Sequence, residues 1–129
     1  MKLKIIALTG LIFACGTFTY ASTTTDDIKA LVASYALEYG VSGESMLNTL
    51  KCESGLNPNA YNGKDSHKLS KGSHGIAQFS KETFDEFSNK IGIVDGSPYN
   101  PDQAIETMAY MFSIGKQHRW TCYKPITKM

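Results

Sequence analysis

Apolar residues recur at helical spacing in four stretches of the chain. In the first, Ile28, Leu31, Val32, Tyr35 and Ala36 share one face, which predicts a helix from about Asp26 to Tyr39 with Gly40 as its stop. The Thr run at 23–25 before it reads as a loose lead-in. The second stretch begins at Ser42, a good N-cap, with Glu44 in its first turn and Met46, Leu47 and Leu50 as its stripe. Continued helically, that stripe brings Glu53 to the apolar side in the last turn, before Gly55 and Pro58 end the run. Ser80 caps a third helix over roughly 81–90, with Phe79 and Phe84 in the staple positions and Phe84, Phe87 and Ile91 along its buried edge. Asn100, Pro101 and Gln103 open a fourth, whose stripe is Ala104, Ile105, Met108, Met111 and Phe112 and whose end is Gly115. Its methionines fit core filling better than ligation. Between the second and third helices, residues 57–75 lose all periodicity. Rich in glycine, asparagine and histidine, they predict a long loop, and a loop of that length in a small domain is more often functional than idle. The fold class expected is a single mainly α domain with little β signal.

The first 21 residues stand apart. Lys2 and Lys4 precede an apolar run from Ile5 to Ala14, and Thr19-Tyr20-Ala21 supplies small residues before a cut after Ala21. We read residues 1–21 as a secretory signal and 22–129 as the folded domain, exported to the periplasm or the extracellular space. The rival is lipidation at Cys15 after Ile12-Phe13-Ala14, which the bulky Phe13 fits poorly. Removing the signal takes two of the 13 basic residues and none of the 12 acidic ones, leaving a net charge of −1. A nucleic-acid binder needs a basic excess, so the balance argues against that class; it says little about an uncharged sugar substrate. Cys52 and Cys122 remain. An even pair in an exported small domain points to a disulfide; two reduced, buried thiols are the alternative.

Glu53 is the acid whose position is costly without a purpose. A carboxyl turned toward an apolar stripe is desolvated, which favours its neutral form, and a carboxylic acid that keeps its proton near neutral pH can donate it to a leaving oxygen. The bland reading is a helix-end carboxylate that solvates itself or pairs with Lys51 or Lys90.

"ESGLNPNAYN" (53–62) followed by "SHGIAQFS" (73–80) resembles the two-part signature of soluble-lytic-transglycosylase-type domains, and the resemblance extends over roughly residues 27–123. It is closest to short members found in phage, secretion-system and small exported proteins. It implies a lysozyme-like fold and cleavage of the β-1,4 bond between N-acetylmuramic acid and N-acetylglucosamine in peptidoglycan. Glu53 would be the only catalytic acid/base, and a 1,6-anhydro end the product. Ser54, Gly75, Ile76 and Gln78 fall on motif positions that line or shape the sugar groove. Ser54 is equally read as a helix-end hydroxyl bonded to backbone. Gln78 can both donate to and accept from an acetamido sugar. The implied partners are glycan strands and, in phage or secretion settings, an assembly partner; the implied unit is a monomer without cofactor.

The later Ala-Tyr-Asn-x-Gly segment of larger members is missing, and the chain ends instead on "SIGKQHRWTCYK". Tyr110 and Tyr123 are the candidates to fill the gap, and Ala104 replaces the family's asparagine. Tyr61, Tyr99, Tyr110 and Trp120 could stack on sugars, though each also suits a core. Two rival functions follow. A lysozyme-type hydrolase needs a second carboxylate, for which Asp65 is the candidate. A non-catalytic docking protein could keep the fold. His67, His74, His118 and the cysteines match no zinc spacing.

Overall fold

The computed structural model describes residues 22–66 and 71–127. The signal segment, Cys15 and His67 therefore lie outside the described residues. The four expected helices form as α1 (Thr25–Tyr39), α2 (Gly43–Ser54), α3 (Lys81–Lys90) and α4 (Pro101–Ser113). The chain is mainly helical, with one small sheet.

Local chemistry sets the ends. Thr24 is no loose lead-in: its hydroxyl accepts from the Asp27 N–H while the Asp27 carboxylate accepts from the Thr24 N–H, a reciprocal cap. Those bonds hold the Asp27 carboxyl below the usual carboxylate range. Ser42, Ser80 and Asn100 cap the other three helices as their sequences predict. Phe79 and Phe84 meet as the expected staple, ring centres 5.5 Å apart.

Helix α4 is central. Ala104, Ile105, Thr107, Met108, Ala109, Met111 and Phe112 are buried along it, and it packs on both α1 and α3. Ile28, Val32, Met46, Leu50, Ile76, Phe84 and Phe87 complete the core. Each large apolar side chain so buried contributes roughly 1.5–3 kcal/mol. Two polar clamps fix α1 against α4: the Tyr35 hydroxyl donates to Asp102 at 2.9 Å and the Tyr39 hydroxyl to Glu106 at 3.0 Å. Burial, then the Glu106 bond, pushes the Tyr39 phenol up to about 12.

The expected 57–75 loop is corrected. Within it lies an antiparallel hairpin, β1 (Tyr61–Ser66) and β2 (Lys71–His74), pairing Tyr61 with His74, Asn62 with Ser73 and Ser66 with Lys71, with an irregular register between Asn62 and Ser66. No alternation of apolar and polar residues announces these strands. They are held by context: the Tyr61 ring lies against Gly63 and Gly72, the Ser73 hydroxyl donates to Asp65, and His74 exchanges two backbone bonds with Phe79. Side-chain packing of this kind overrides weak strand propensity.

Gly75 follows β2 at φ +76, and a Cβ there would lie 1.9 Å from the Pro98 carbonyl oxygen. Both the left-handed backbone and the contact exclude a side chain. Gly75→Ala is expected to cost about 2–3 kcal/mol or more in denaturant unfolding; a loss below about 0.5 kcal/mol would show that the Pro98 segment yields freely.

Candidate active site

The end of α2 sets the site. Gly55 at φ +63 closes the helix, its N–H returning to the Lys51 carbonyl, so the helix stops one residue after Ser54. That leaves Glu53 in the final turn, half-buried, at a groove of about 370 Å³. The other walls are Asp65 and Ser73 of the hairpin, Gln78, Phe79 and Ser80, Thr83 of α3, Met111 of α4, and Arg119, Trp120 and Thr121 of the tail.

The Glu53 carboxyl is pushed above the usual glutamate range. Burial is the main cause, and the negative charge of Asp65 adds to it. The Cys122 N–H opposes both, donating to Glu53 Oε1 at 3.4 Å. That N–H is delivered by a disulfide between Cys52 and Cys122, whose Cα atoms are 5.9 Å apart. The bridge joins the residue before Glu53 to the tail, so one covalent link fixes both the acid and its hydrogen-bond donor.

Ser54 does not point its hydrogen into the groove. Its hydroxyl donates to the Ile76 carbonyl at 2.6 Å, with the Leu50 carbonyl at 3.3 Å, and ties α2 to the turn after β2. Ile76 has a fully buried side chain, so only its backbone serves the site. Gly75 shapes the chain rather than touching the groove.

Gln78 lies in the left-handed region at φ +51, an unusual conformation for a residue with a side chain. It closes a tight turn, its N–H bonding to the Gly75 carbonyl at 3.2 Å. Its amide nitrogen donates to the carbonyls of Gly75 at 2.8 Å and Ala60 at 3.3 Å. Two acceptors on that side fix which amide atom faces them. The donors are spent on backbone, so Gln78 offers the groove an acceptor, not the donor–acceptor pair its sequence position suggested.

Tyr110 stands away from the groove walls. It packs on Tyr39, ring centres 6.2 Å apart, and Tyr123 packs on Phe112 at 5.5 Å. Neither lines the groove. Trp120 does: it is buried, donates its indole N–H to the Ala77 carbonyl at 2.8 Å, and stacks edge-on with Phe79. Tyr61 and Tyr99 flank His74 outside the groove walls, with the Tyr99 hydroxyl 2.8 Å from His74 Nδ1. Ala104 is fully buried. Ser73, Ser80, Thr83, Met111, Arg119 and Thr121 line the groove, a role the sequence pattern assigned to none of them.

No curated protein and no solved structure gives a match to the chain. One family does: the family described as the transglycosylase SLT domain matches residues 30–120, well over half of the sequence, and encloses Glu53, the hairpin, the Gly75–Gln78 turn and the first groove residues of the tail. The fold and the span of the match agree, and the chain belongs to the transglycosylase SLT domain family, of the lysozyme-like superfamily.

Proposed function

We propose that the chain is a lytic transglycosylase that cleaves the β-1,4 bond between N-acetylmuramic acid and N-acetylglucosamine and leaves a 1,6-anhydro end, with Glu53 as sole acid/base. Family membership supports peptidoglycan as substrate and transglycosylase activity in general. The observation that carries the finer reading is the half-buried Glu53 carboxyl, which holds its proton more tightly than an ordinary glutamate and opens on the groove. Protonated, it donates to the glycosidic oxygen and the leaving sugar departs. The substrate's own acetamido oxygen stabilises the cationic ring, as in substrate-assisted glycoside chemistry. Glu53, now ionised, takes the proton from the O6 hydroxyl as O6 attacks the anomeric carbon. The proton count closes with Glu53 protonated and no water consumed. The Gln78 acceptor can take the acetamido N–H or a ring hydroxyl, which would hold the sugar for that attack. Ser54 acts as a positioning residue through Ile76. The apolar segment after Lys2 and Lys4, together with the disulfide, supports export of the working enzyme.

Mass spectrometry of muropeptides released from purified peptidoglycan tests the reading: anhydro ends are expected, and free reducing ends would overturn it.

One observation favours a second reading, a lysozyme-type hydrolase. Asp65 lines the same groove on β1, accepts from the Ser73 hydroxyl at 2.5 Å, and its charge is felt by Glu53. A hydrolase would use it to activate water or stabilise the cation. Asp65→Asn separates the two. A transglycosylase keeps its anhydro products. Losing the neighbouring negative charge lowers the proton affinity of Glu53, so the alkaline limb of the activity profile moves to lower pH. Loss of turnover by about 10²-fold or more would favour the hydrolase.

A further inference from the structure

We propose that Arg119 binds a carboxylate of the substrate and thereby selects muramyl glycan over neutral glycan of the same backbone; this rests on the groove being a glycan site. Arg119 is the only arginine in the chain, every other Lys or Arg position being lysine. That single arginine is among the residues lining the groove that holds Glu53. Among the described residues it forms no ion pair, although two carboxylates, Glu53 and Asp65, share the groove. Its contact is the Phe87 ring, 5.9 Å from the guanidinium carbon. A ring contact occupies the cation's face and consumes none of its N–H donors, so the fork remains for a ligand.

The placement is rigid on both sides. Arg119 is the last residue of a 3₁₀ turn, Gln117–Arg119, and its N–H bonds to the Lys116 carbonyl at 3.0 Å. Trp120 follows, buried and bonded to Ala77, and the disulfide closes two residues on. The backbone that carries the exposed Arg119 side chain is therefore held in place. The charge pattern matches. From Thr107 to the end of the chain there is no acidic residue, while Lys116, Arg119, Lys124 and Lys128 are basic. Among the residues lining the groove, Glu53 and Asp65 are the acids and Arg119 is the base.

A planar fork of this kind fits a carboxylate in bidentate geometry, which a lysine does not. Chitin-type strands carry none. Every muramyl residue carries one, either on its lactyl arm or, where a peptide continues that arm, on the peptide. The shared chemistry is a carboxylate beside the scissile bond.

The test uses Trp120, the chain's one tryptophan and a groove residue, as the fluorescent reporter of binding. Titrations on an oxidised Glu53→Gln background, which cannot turn over, compare three probes: peptide-bearing glycan strands, amidase-stripped strands whose lactyl carboxylate the amidase has freed, and neutral chitohexaose. Adding Arg119→Gln is expected to raise Kd about tenfold or more for carboxylate-bearing strands and to leave chitohexaose unchanged. Arg119→Lys should restore part of the loss, and added salt should shrink the difference. A rise with stripped strands alone places the contact on the lactyl carboxylate, a rise with peptide-bearing strands alone places it on the peptide, and a rise with both shows that the guanidinium takes either carboxylate. Equal weakening of all three probes, or no change in any, overturns the inference. If the parent protein binds none of the probes, the glycan reading itself falls; if it binds them all and Arg119→Gln changes nothing, only the role of Arg119 falls.

Discussion

Glu53→Gln is expected to reduce muropeptide release by about 10²- to 10⁴-fold, the usual worth of a positioned acid/base, while the protein stays folded. The amide fills the same volume and its oxygen can still accept the Cys122 N–H, so the groove keeps its shape. It cannot hand over a proton. Stability should move the other way. The folded-state Glu53 carboxyl sits above its ordinary range, so its contribution is favourable at low pH and becomes a cost as pH rises and the buried group ionises. Glu53→Gln removes that cost. Its Tm should exceed that of the wild type at neutral pH, with the gap closing below the range where an exposed glutamate titrates. Lower activity with higher stability is the signature of a strained catalytic group. Full activity in Glu53→Gln would remove Glu53 from the chemistry.

The second large effect is expected from the disulfide. Cys52 and Cys122 are 70 positions apart in sequence, and closing a loop of that size stabilises by about 4 kcal/mol in the chain-entropy model. Cys52→Ser/Cys122→Ser should therefore lower Tm by about 15 °C relative to the oxidised wild type. Trp120 keeps its bond to Ala77 and its packing on Phe79, so the body of the domain should survive at low temperature. The site should not be equivalent. Freeing the tail withdraws the Cys122 N–H, the group that lowers the proton affinity of Glu53. The alkaline limb of any residual activity should then shift to higher pH, opposite to the shift expected for Asp65→Asn. An unchanged Tm would show that the bridge is incidental to the fold.

The helices were legible because their signals are local. Caps at Ser42, Ser80 and Asn100, stops at Gly40 and Gly55, and stripes such as Ile105, Met108 and Met111 each lie within a few residues of the element they define. Glu53 was legible for the same reason: its place follows from counting along one helix. The hairpin was not. Its strands, Tyr61–Ser66 and Lys71–His74, are polar on both faces and depend on Tyr61 over the glycines and on the Asp65–Ser73 bond. Side-chain roles within the motif were legible only as positions. Ile76 presents a carbonyl rather than a side chain, and Gln78 spends its donors on Gly75 and Ala60, because neighbours distant in sequence claim those groups. The tail's part in the groove depends on Trp120 reaching back to Ala77, a contact across 43 positions that no local pattern reports. The single arginine was the available clue to that wall.

In the proposed reaction Glu53 serves as both acid and base while O6 of the sugar, not water, is the nucleophile. Digestion of purified peptidoglycan in heavy-oxygen water, followed by mass spectrometry of the released muropeptides, separates the two nucleophiles. Anhydro ends that carry no heavy oxygen and that vanish with Glu53→Gln are expected. Reducing ends that incorporate heavy oxygen would make water, activated beside Asp65, the attacking group and would overturn the proposal.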